Sequence, residues 1–326
     1  MSKGSRPHVI VTRRLPEPVE AKLEEHFEVT LNPGDRVFSA DDLAGALRTA
    51  EGLLPAVTDK LTSDVLSAEP LKAGIIANFG VGYNNIDVEV ARAKGIVVTN
   101  TPDVLTDDTA DIAMALLLSV ARRTGEGERQ LRGGKWTGWA PTHMLGTKVS
   151  DKTVGVVGLG RIGQALARRA HHGFGMKILF YTPSPPPSEV VSELAAERRH
   201  TLEELLADSD FVSLHCPLTP ETRHLMNAKT LGQMKKGAYL INTARGEVVD
   251  EAALADALAS GVVAGAGLDV YEREPAVLPE LLGMENVVLL PHLGSATEET
   301  RVAMGMRALD NLTAYFRGEP PPDRVA

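Results

Sequence analysis

An apolar run that ends in Gly158-Leu-Gly160-Arg-Ile-Gly163 constrains this chain more than any other feature. TVGVVGLG (153–160) has the unbroken apolar character of a strand covered on both faces, and RIGQALARRAHH (161–172) continues it as a helix. Each glycine of G-x-G-x-x-G has a physical reading in that setting. Gly158 permits the tight turn, Gly160 lets a pyrophosphate approach the backbone, and Gly163 allows the helix to pack closely on the strand. The N–H groups at the helix start, around Arg161 and Ile162, attract phosphate. A glycine-rich turn without a ligand is the alternative reading. The strand before it and the helix after it favour a dinucleotide site.

In such sites an acid about 20 residues further on, at the end of the next strand, holds the ribose 2′-hydroxyl. Here the next strand, MKILFYT (176–182), ends at Thr182, with Ser184 just beyond. An acid would repel a 2′-phosphate, whereas hydroxyls can donate to one. The pair therefore favours NADP(H) over NAD(H), with Arg161, Arg198 and Arg199 as cations able to approach. Thr182 as a plain strand end is the other reading.

Around this turn the sequence alternates β-like and helical runs. HVIVT (8–12), GLLPAV (52–57), GIIANFG (74–80) and GIVVTN (95–100) read as strands. Helices are expected over 18–27, from a cap at Ser39, Asp41 and Asp42 to about Thr49, and as one long element over 106–124. Beyond the glycine turn, 210–218, 238–244, 265–270 and 287–292 supply strands or strand ends. A short helix over 201–207 and a final one over 298–316 complete the pattern, and PSPPPS (183–188) reads as a rigid loop. This alternation implies α/β architecture with parallel sheets. RGGKWTGWAPTHMLG (132–146) holds both tryptophans and reads as an excursion that packs on something, another subunit being one candidate.

The 326 residues suggest two domains, and 43% hydrophobic with 24% charged residues is a globular composition. A net charge of −9 without a basic stripe argues against nucleic acid as a partner. The apolar run 112–121 is too short to span a bilayer. The start lacks an apolar signal region, and a single cysteine, Cys216, fits a reducing compartment, so a cytoplasmic location is expected. No His, Cys or Asp spacing resembles a metal site.

Ligands of open α/β sheets sit outside the carboxyl ends of the strands. Arg245 follows the strand 238–243, Glu274 follows the strand ending GLDV, and His292 ends VVLLPH. Alone, each is most simply a surface or salt-bridged group. Together, beside a dinucleotide turn, they suit reduction of a 2-keto acid. Arg245 offers a planar fork for a carboxylate, His292 can donate a proton, and Glu274 favours its charged form. Cys216 reads as a small filler beside the cofactor rather than as a nucleophile.

NFGVGYNNIDV, VGVVGLGRIG, SDFVSLHCPLTPETRHLM, INTARGEVVDEAAL, GAGLDVYEREP and LLPHLGSAT, in this order, resemble the D-isomer-specific 2-hydroxyacid dehydrogenase family. The resemblance runs from about Gly52 to the C-terminal helix. WTGWAP and LPHLGSAT bring it nearest to glyoxylate/hydroxypyruvate reductases. It implies a Rossmann-type nucleotide domain (103–290) inserted into a flavodoxin-like substrate domain (1–102 and 291–326). It implies Arg245 as substrate binder, His292 as general acid/base and Glu274 as its orienting partner. The backbone of Val81 and Gly82 is implied as the carboxylate site, with Leu54 and Trp139 shaping the substrate pocket. Implied cofactor contacts are Thr109, Arg161, Ile162, Cys216, Thr222, Thr243, Ala244, Asp269, Gly294 and Ser295.

The resemblance further implies a homodimer in which Trp139 reaches the partner's active site. Its departures are Thr182 in place of the usual acid, which leaves the cofactor open, and Asn84 in place of an acid common in the GVG segment. Two other readings stay open. One is a family dehydrogenase for phosphoglycerate, lactate-like acids, phosphite or formate, Glu274 counting against formate, whose enzymes pair the histidine with Gln. The other is a dinucleotide-sensing binding protein without catalysis.

Overall fold

Strands read as continuously apolar are buried on both faces, and the computed structural model, which describes residues 6–184 and 186–326, shows this directly. Two compact units form: one runs to Leu105 and resumes at Ala296, and the other comprises Thr106–Ser295.

The first unit is a five-stranded parallel sheet. Its strands are β1 (His8–Val11), β2 (Glu28–Thr30), β3 (Gly52–Leu54), β4 (Ile75–Ala77) and β5 (Val97–Thr99), in the order β2-β1-β3-β4-β5. This is the flavodoxin-like order, and its switch point lies between β1 and β3. The helix Ala40–Thr49 begins at Ser39, whose hydroxyl accepts from Asp42 N while the Asp42 carboxylate caps Ser39 N in return. Leu43, Ala46 and Leu47 of that helix pack with Leu53, Ile76 and Val98 in the core of this unit. β2, with exposed Glu28 and Thr30, lacks an apolar run, so its edge position escaped the sequence.

The second unit is a seven-stranded parallel sheet. It contains β6 (Thr153–Val157), β7 (Lys177–Tyr181), β8 (Glu197–Arg198), β9 (Phe211–Leu214), β10 (Tyr239–Asn242), β11 (Gly265–Leu268) and β12 (Val287–Leu289). The order is β12-β11-β10-β9-β6-β7-β8, the doubly wound dinucleotide-binding arrangement with one strand added, and its switch point lies between β6 and β9. One face is covered by the helices Thr106–Ala121 and Arg161–Arg168, through Leu116, Leu117 and Leu166; the other packs Leu205, Leu254 and Leu258 against β9 and β10. The fold class read from the sequence is thus found in both units.

Three details differ from the expectations. The helix from Thr106 stops at Ala121, because Arg123 takes a left-handed φ of +56° and a second helix, Thr124–Arg132, starts from it. The helix after the glycine turn keeps α geometry to Arg168 and widens into a π turn over Arg169–Gly173. The unit boundaries fall at 105/106 and 295/296, not at 102/103 and 290/291. Residues 291–295 are bound into the nucleotide unit: His292 N donates to Asp269 O at 2.9 Å, and the Asp269 carboxylate accepts from Leu293 N at 2.6 Å and Gly294 N at 2.8 Å. Part of the expected proline loop, residue 185, lies outside the described residues. Among the described residues no helix is long and apolar enough to cross a membrane.

Candidate active site

The glycine turn follows the physical reading of its three positions. Gly158 has φ +93°, and a β-carbon there would stand 2.8 Å from Cys216 N. A β-carbon on Gly163 would lie 2.3 Å from Gly158 O, so the helix sits against the strand at backbone distance. Around Gly160 there is open space within 4 Å, and the helix it caps has no side-chain cap for its first N–H groups. A cradle with one open glycine and an uncapped helix start fits a pyrophosphate.

Beyond this turn β7 ends at Tyr181 and Thr182 follows, its hydroxyl donating to Ser184 O at 3.3 Å. Arg198, at the end of neighbouring β8, donates from Nη2 to Thr182 O at 3.3 Å. Arg199 instead pairs with Asp208 and Glu197. Arg198, Thr182 and the backbone of Ser184 therefore lie together just beyond the end of β7.

The loops after β10, β11 and β12 lie side by side because those strands are consecutive in the sheet. Asn242 closes β10, and its side chain binds Ala244 N at 3.0 Å and Arg245 O at 2.9 Å, holding Arg245 in extended backbone. Gly246 is obligatory: a β-carbon there would stand 1.8 Å from Tyr271 C, so this loop lies directly on the one after β11. Burial lowers the pKa of Arg245, against the charges of Glu274 and Glu247, and the guanidinium remains a cation.

Glu274 hangs from the loop after β11. Its Oε1 accepts from Tyr271 N at 3.1 Å, and its Oε2 faces Nδ1 of His292 at 2.9 Å. Burial raises its pKa. The hydrogen bond and charge of His292, with smaller help from Tyr271 N and Arg245, outweigh burial and leave it lowered. His292 itself has φ +56°, a strained conformation for a side-chain-bearing residue, held by Asp269 O and the Asp269-bound backbone beyond it. With Nδ1 engaged by the carboxylate, Nε2 is the ring atom left to meet a substrate.

The other expected contacts divide. Thr109 Oγ1 donates to Gly294 O at 3.0 Å, tying the helix from Thr106 to the segment before Ser295. Thr243 is buried, and its Oγ1 has no partner among the described residues. Ala244 N donates to the side chain of Asn242 and Asp269 N to its main-chain O. The Thr222 hydroxyl is committed to its own loop, donating to Pro217 O at 2.7 Å and accepting from Thr219 N at 2.8 Å. Burial pushes the Cys216 thiol up to about 11, so at neutral pH it is no nucleophile. The neighbouring His215 is pushed by burial down to about 4 and is neutral at neutral pH. Trp139 and Trp136 are 82% and 52% exposed. Among the described residues no group of three or more His, Cys, Asp or Glu could hold a metal.

In the first unit Leu54 ends β3 and is fully buried, and Val81 and Gly82 lie in the loop after β4. Two buried residues there went unnoticed in the sequence: Asn78, immediately after β4, and Asn100, immediately after β5. Their place at the carboxyl ends of parallel strands is the signal that could have found them.

Known proteins resemble this chain along its whole length. The family model for the D-isomer specific 2-hydroxyacid dehydrogenase NAD binding domain matches residues 114–294. A glyoxylate reductase of Thermococcus kodakarensis is 50% identical over 324 residues, covering 98% of this chain and 96% of the relative. One from Korarchaeum cryptofilum is 49% identical, covering 98% and 96%. The crystal structure of an NADPH-dependent glyoxylate/hydroxypyruvate reductase from Sinorhizobium meliloti, in complex with NADP and malonate, superposes with a TM-score of 0.86 at 40% identity, covering 99% of this chain and 97% of that one. With its two parallel-sheet units and its glycine turn, the chain belongs to the D-isomer-specific 2-hydroxyacid dehydrogenase family and is an NAD(P)-dependent oxidoreductase.

Proposed function

We propose that the protein reduces glyoxylate and hydroxypyruvate to glycolate and D-glycerate, with NADP(H) preferred over NAD(H). The observation that carries the chemistry is the convergence of Arg245, Glu274 and His292 on three adjacent strand ends, with His292 Nδ1 fixed on Glu274. The relatives' names support the substrates.

The bound nicotinamide supplies the hydride. Gly158, Gly160 and Gly163 with the N–H groups of Arg161 and Ile162 would hold its pyrophosphate, and Thr109, Thr243, Ala244, Asp269, Gly294 and Ser295 would contact the rest. Arg245 holds the substrate and polarises its ketone. The N–H groups of Val81 and Gly82 hold the carboxylate. His292, oriented through Nδ1 by Glu274, gives a proton from Nε2 to the carbonyl oxygen, and in the reverse direction takes it back. Thr182, Ser184 and Arg198 accommodate a 2′-phosphate, the first two without the charge that would repel it.

Two further proposals concern the assembled protein. Trp136, Trp139 and Leu145 are exposed on the excursion 132–146, with exposed Leu131 just before it, and such apolar surface supports a homodimer in which Trp139 narrows the partner's substrate pocket. The lone Cys216 supports a cytoplasmic location.

Absorbance at 340 nm with purified protein tests the activity. Glyoxylate, hydroxypyruvate, pyruvate and phosphohydroxypyruvate are each run against NADPH and NADH. Rapid oxidation of NADPH with either of the first two is expected. Turnover confined to pyruvate or phosphohydroxypyruvate would move the substrate elsewhere in the family.

A further inference from the structure

The loop Gly80–Tyr83 carries three peptide groups whose carbonyls all point at buried side-chain amides or backbone. Gly80 O accepts from Asn78 Nδ2 at 3.3 Å and from Thr101 N at 3.1 Å. Val81 O accepts from Asn100 Nδ2 at 2.8 Å. Gly82 O accepts from the same Asn78 Nδ2 at 3.0 Å. In a trans peptide the N–H points opposite to the C=O. Pinning the carbonyls of residues 80, 81 and 82 inward therefore turns the N–H groups of Val81, Gly82 and Tyr83 outward, and none of the three donates to another described atom. Successive outward N–H groups make a concavity for an anion.

The two asparagines are built to do this. Asn78 is 0% and Asn100 8% exposed. Which end of Asn78 faces the loop is settled behind it: its Oδ1 accepts from Asn85 Nδ2 at 3.2 Å. Asn85 must present its amino group there, because the same Nδ2 faces the carbonyls of Ala56 and Asp59 at 3.3 and 3.1 Å. Asp59, also buried, is anchored by Thr12 Oγ1 at 2.6 Å and Ala56 N at 2.8 Å. The chain Asp59–Asn85–Asn78 thus passes from the β1–β3 switch point to the loop. Gly80 completes the fit, since a β-carbon there would lie 2.3 Å from Val57 Cγ1.

We propose that Asn78 and Asn100 are positioning residues that set the substrate-carboxylate socket, and that the socket has a third donor, the N–H of Tyr83. This rests on the reading of Val81 and Gly82 as the carboxylate site. A carboxylate held by three such N–H groups gains charge-assisted hydrogen bonds that a ketone or alcohol lacking the acid group cannot make.

The conservative change Asn78→Asp keeps the volume and replaces the donor with an acceptor, so that it repels the carbonyls of Gly80 and Gly82 and turns their peptides. The test measures steady-state kinetics with glyoxylate and NADPH, together with backbone amide shifts of ¹⁵N-labelled, cofactor-loaded enzyme titrated with oxamate. In the native enzyme the amides of Val81, Gly82 and Tyr83 should shift with oxamate. In Asn78→Asp the KM for glyoxylate should rise about tenfold or more, the size of one lost charge-assisted hydrogen bond. The KM for NADPH should not change, and kcat should change far less than KM. Asn100→Ala, which removes one pin without adding charge, should act in the same direction on the Gly82 amide and serves if Asn78→Asp does not fold. Native amides that ignore oxamate would overturn the carboxylate-site reading and this proposal with it. Native amides that shift, combined with folded variants whose KM for glyoxylate is unchanged or whose two KM values rise alike, would overturn the positioning role alone.

Discussion

Nδ1 of His292 lies 2.9 Å from Oε2 of Glu274, across 18 residues of sequence and between loops of two adjacent strands. The same carboxylate is held from behind by Tyr271 N. The imidazole is therefore fixed in orientation and tautomer by a group that is itself fixed. That suits the acid/base role proposed for Nε2.

Removing the ring tests this directly. His292→Ala should lower kcat by about 10²–10⁴-fold, the usual contribution of general acid–base catalysis. Cofactor affinity, measured by quenching of protein fluorescence or by calorimetry, should be retained, since the glycine turn is untouched. An unchanged kcat would take His292 out of the mechanism.

The glycines of the turn separate folding from binding. Gly160 has φ −76° and open space around it, so Gly160→Ala should leave the melting temperature within a degree or two. It should weaken cofactor binding about tenfold or more, because the β-carbon occupies the phosphate approach. Gly163→Ala places a β-carbon 2.3 Å from Gly158 O and should cost about 1–3 kcal/mol of stability, as overpacking does. Equal effects of the two on thermal unfolding would contradict the different surroundings of the two positions.

Cofactor preference should respond to Thr182 and Arg198. Thr182→Asp should move kcat/KM from NADPH towards NADH, and Arg198→Ala should raise the KM for NADPH more than that for NADH. The ratio of the two specificity constants is the measurement. A ratio that stays constant in both variants would mean that the 2′ position is read by other residues.

Acid stability should carry the signature of Asp35. Its carboxylate accepts from Arg13 Nε and Nη2, both at 2.8 Å, and from Arg14 N at 2.9 Å, and these hold it down to about 2. A carboxylate depressed on folding contributes stability that is present above its unfolded value and lost as pH falls through the folded one. The Tm advantage over Asp35→Asn should therefore be constant above pH ~5 and disappear between pH ~4 and ~2, where the unfolded and folded values lie. Calorimetry over that range checks it; an advantage that persists at pH 2 would show that charge plays no part.

Much of this protein was written locally. The glycine turn, the apolar strands and the caps at Ser39 and Thr201 depend on residues a few positions apart, so their spacing alone determined the parallel α/β elements and the strand ends that bear Arg245, Glu274 and His292. β2 and the helix Thr124–Arg132 were not legible, because an exposed edge strand has no apolar period and a left-handed Arg123 leaves no mark of its own. The unit boundary beyond His292 depended on the buried Asp269 accepting from Leu293 and Gly294, some 24 residues away. Asn78 and Asn100 are ordinary polar residues in sequence. They became pins because parallel pairing sets β4 beside β5 and brings both strand ends to one loop. Hydrogen bonds between distant residues follow from which strands are neighbours. That choice is made by packing apolar faces across the whole unit, so only the tertiary structure could reveal it.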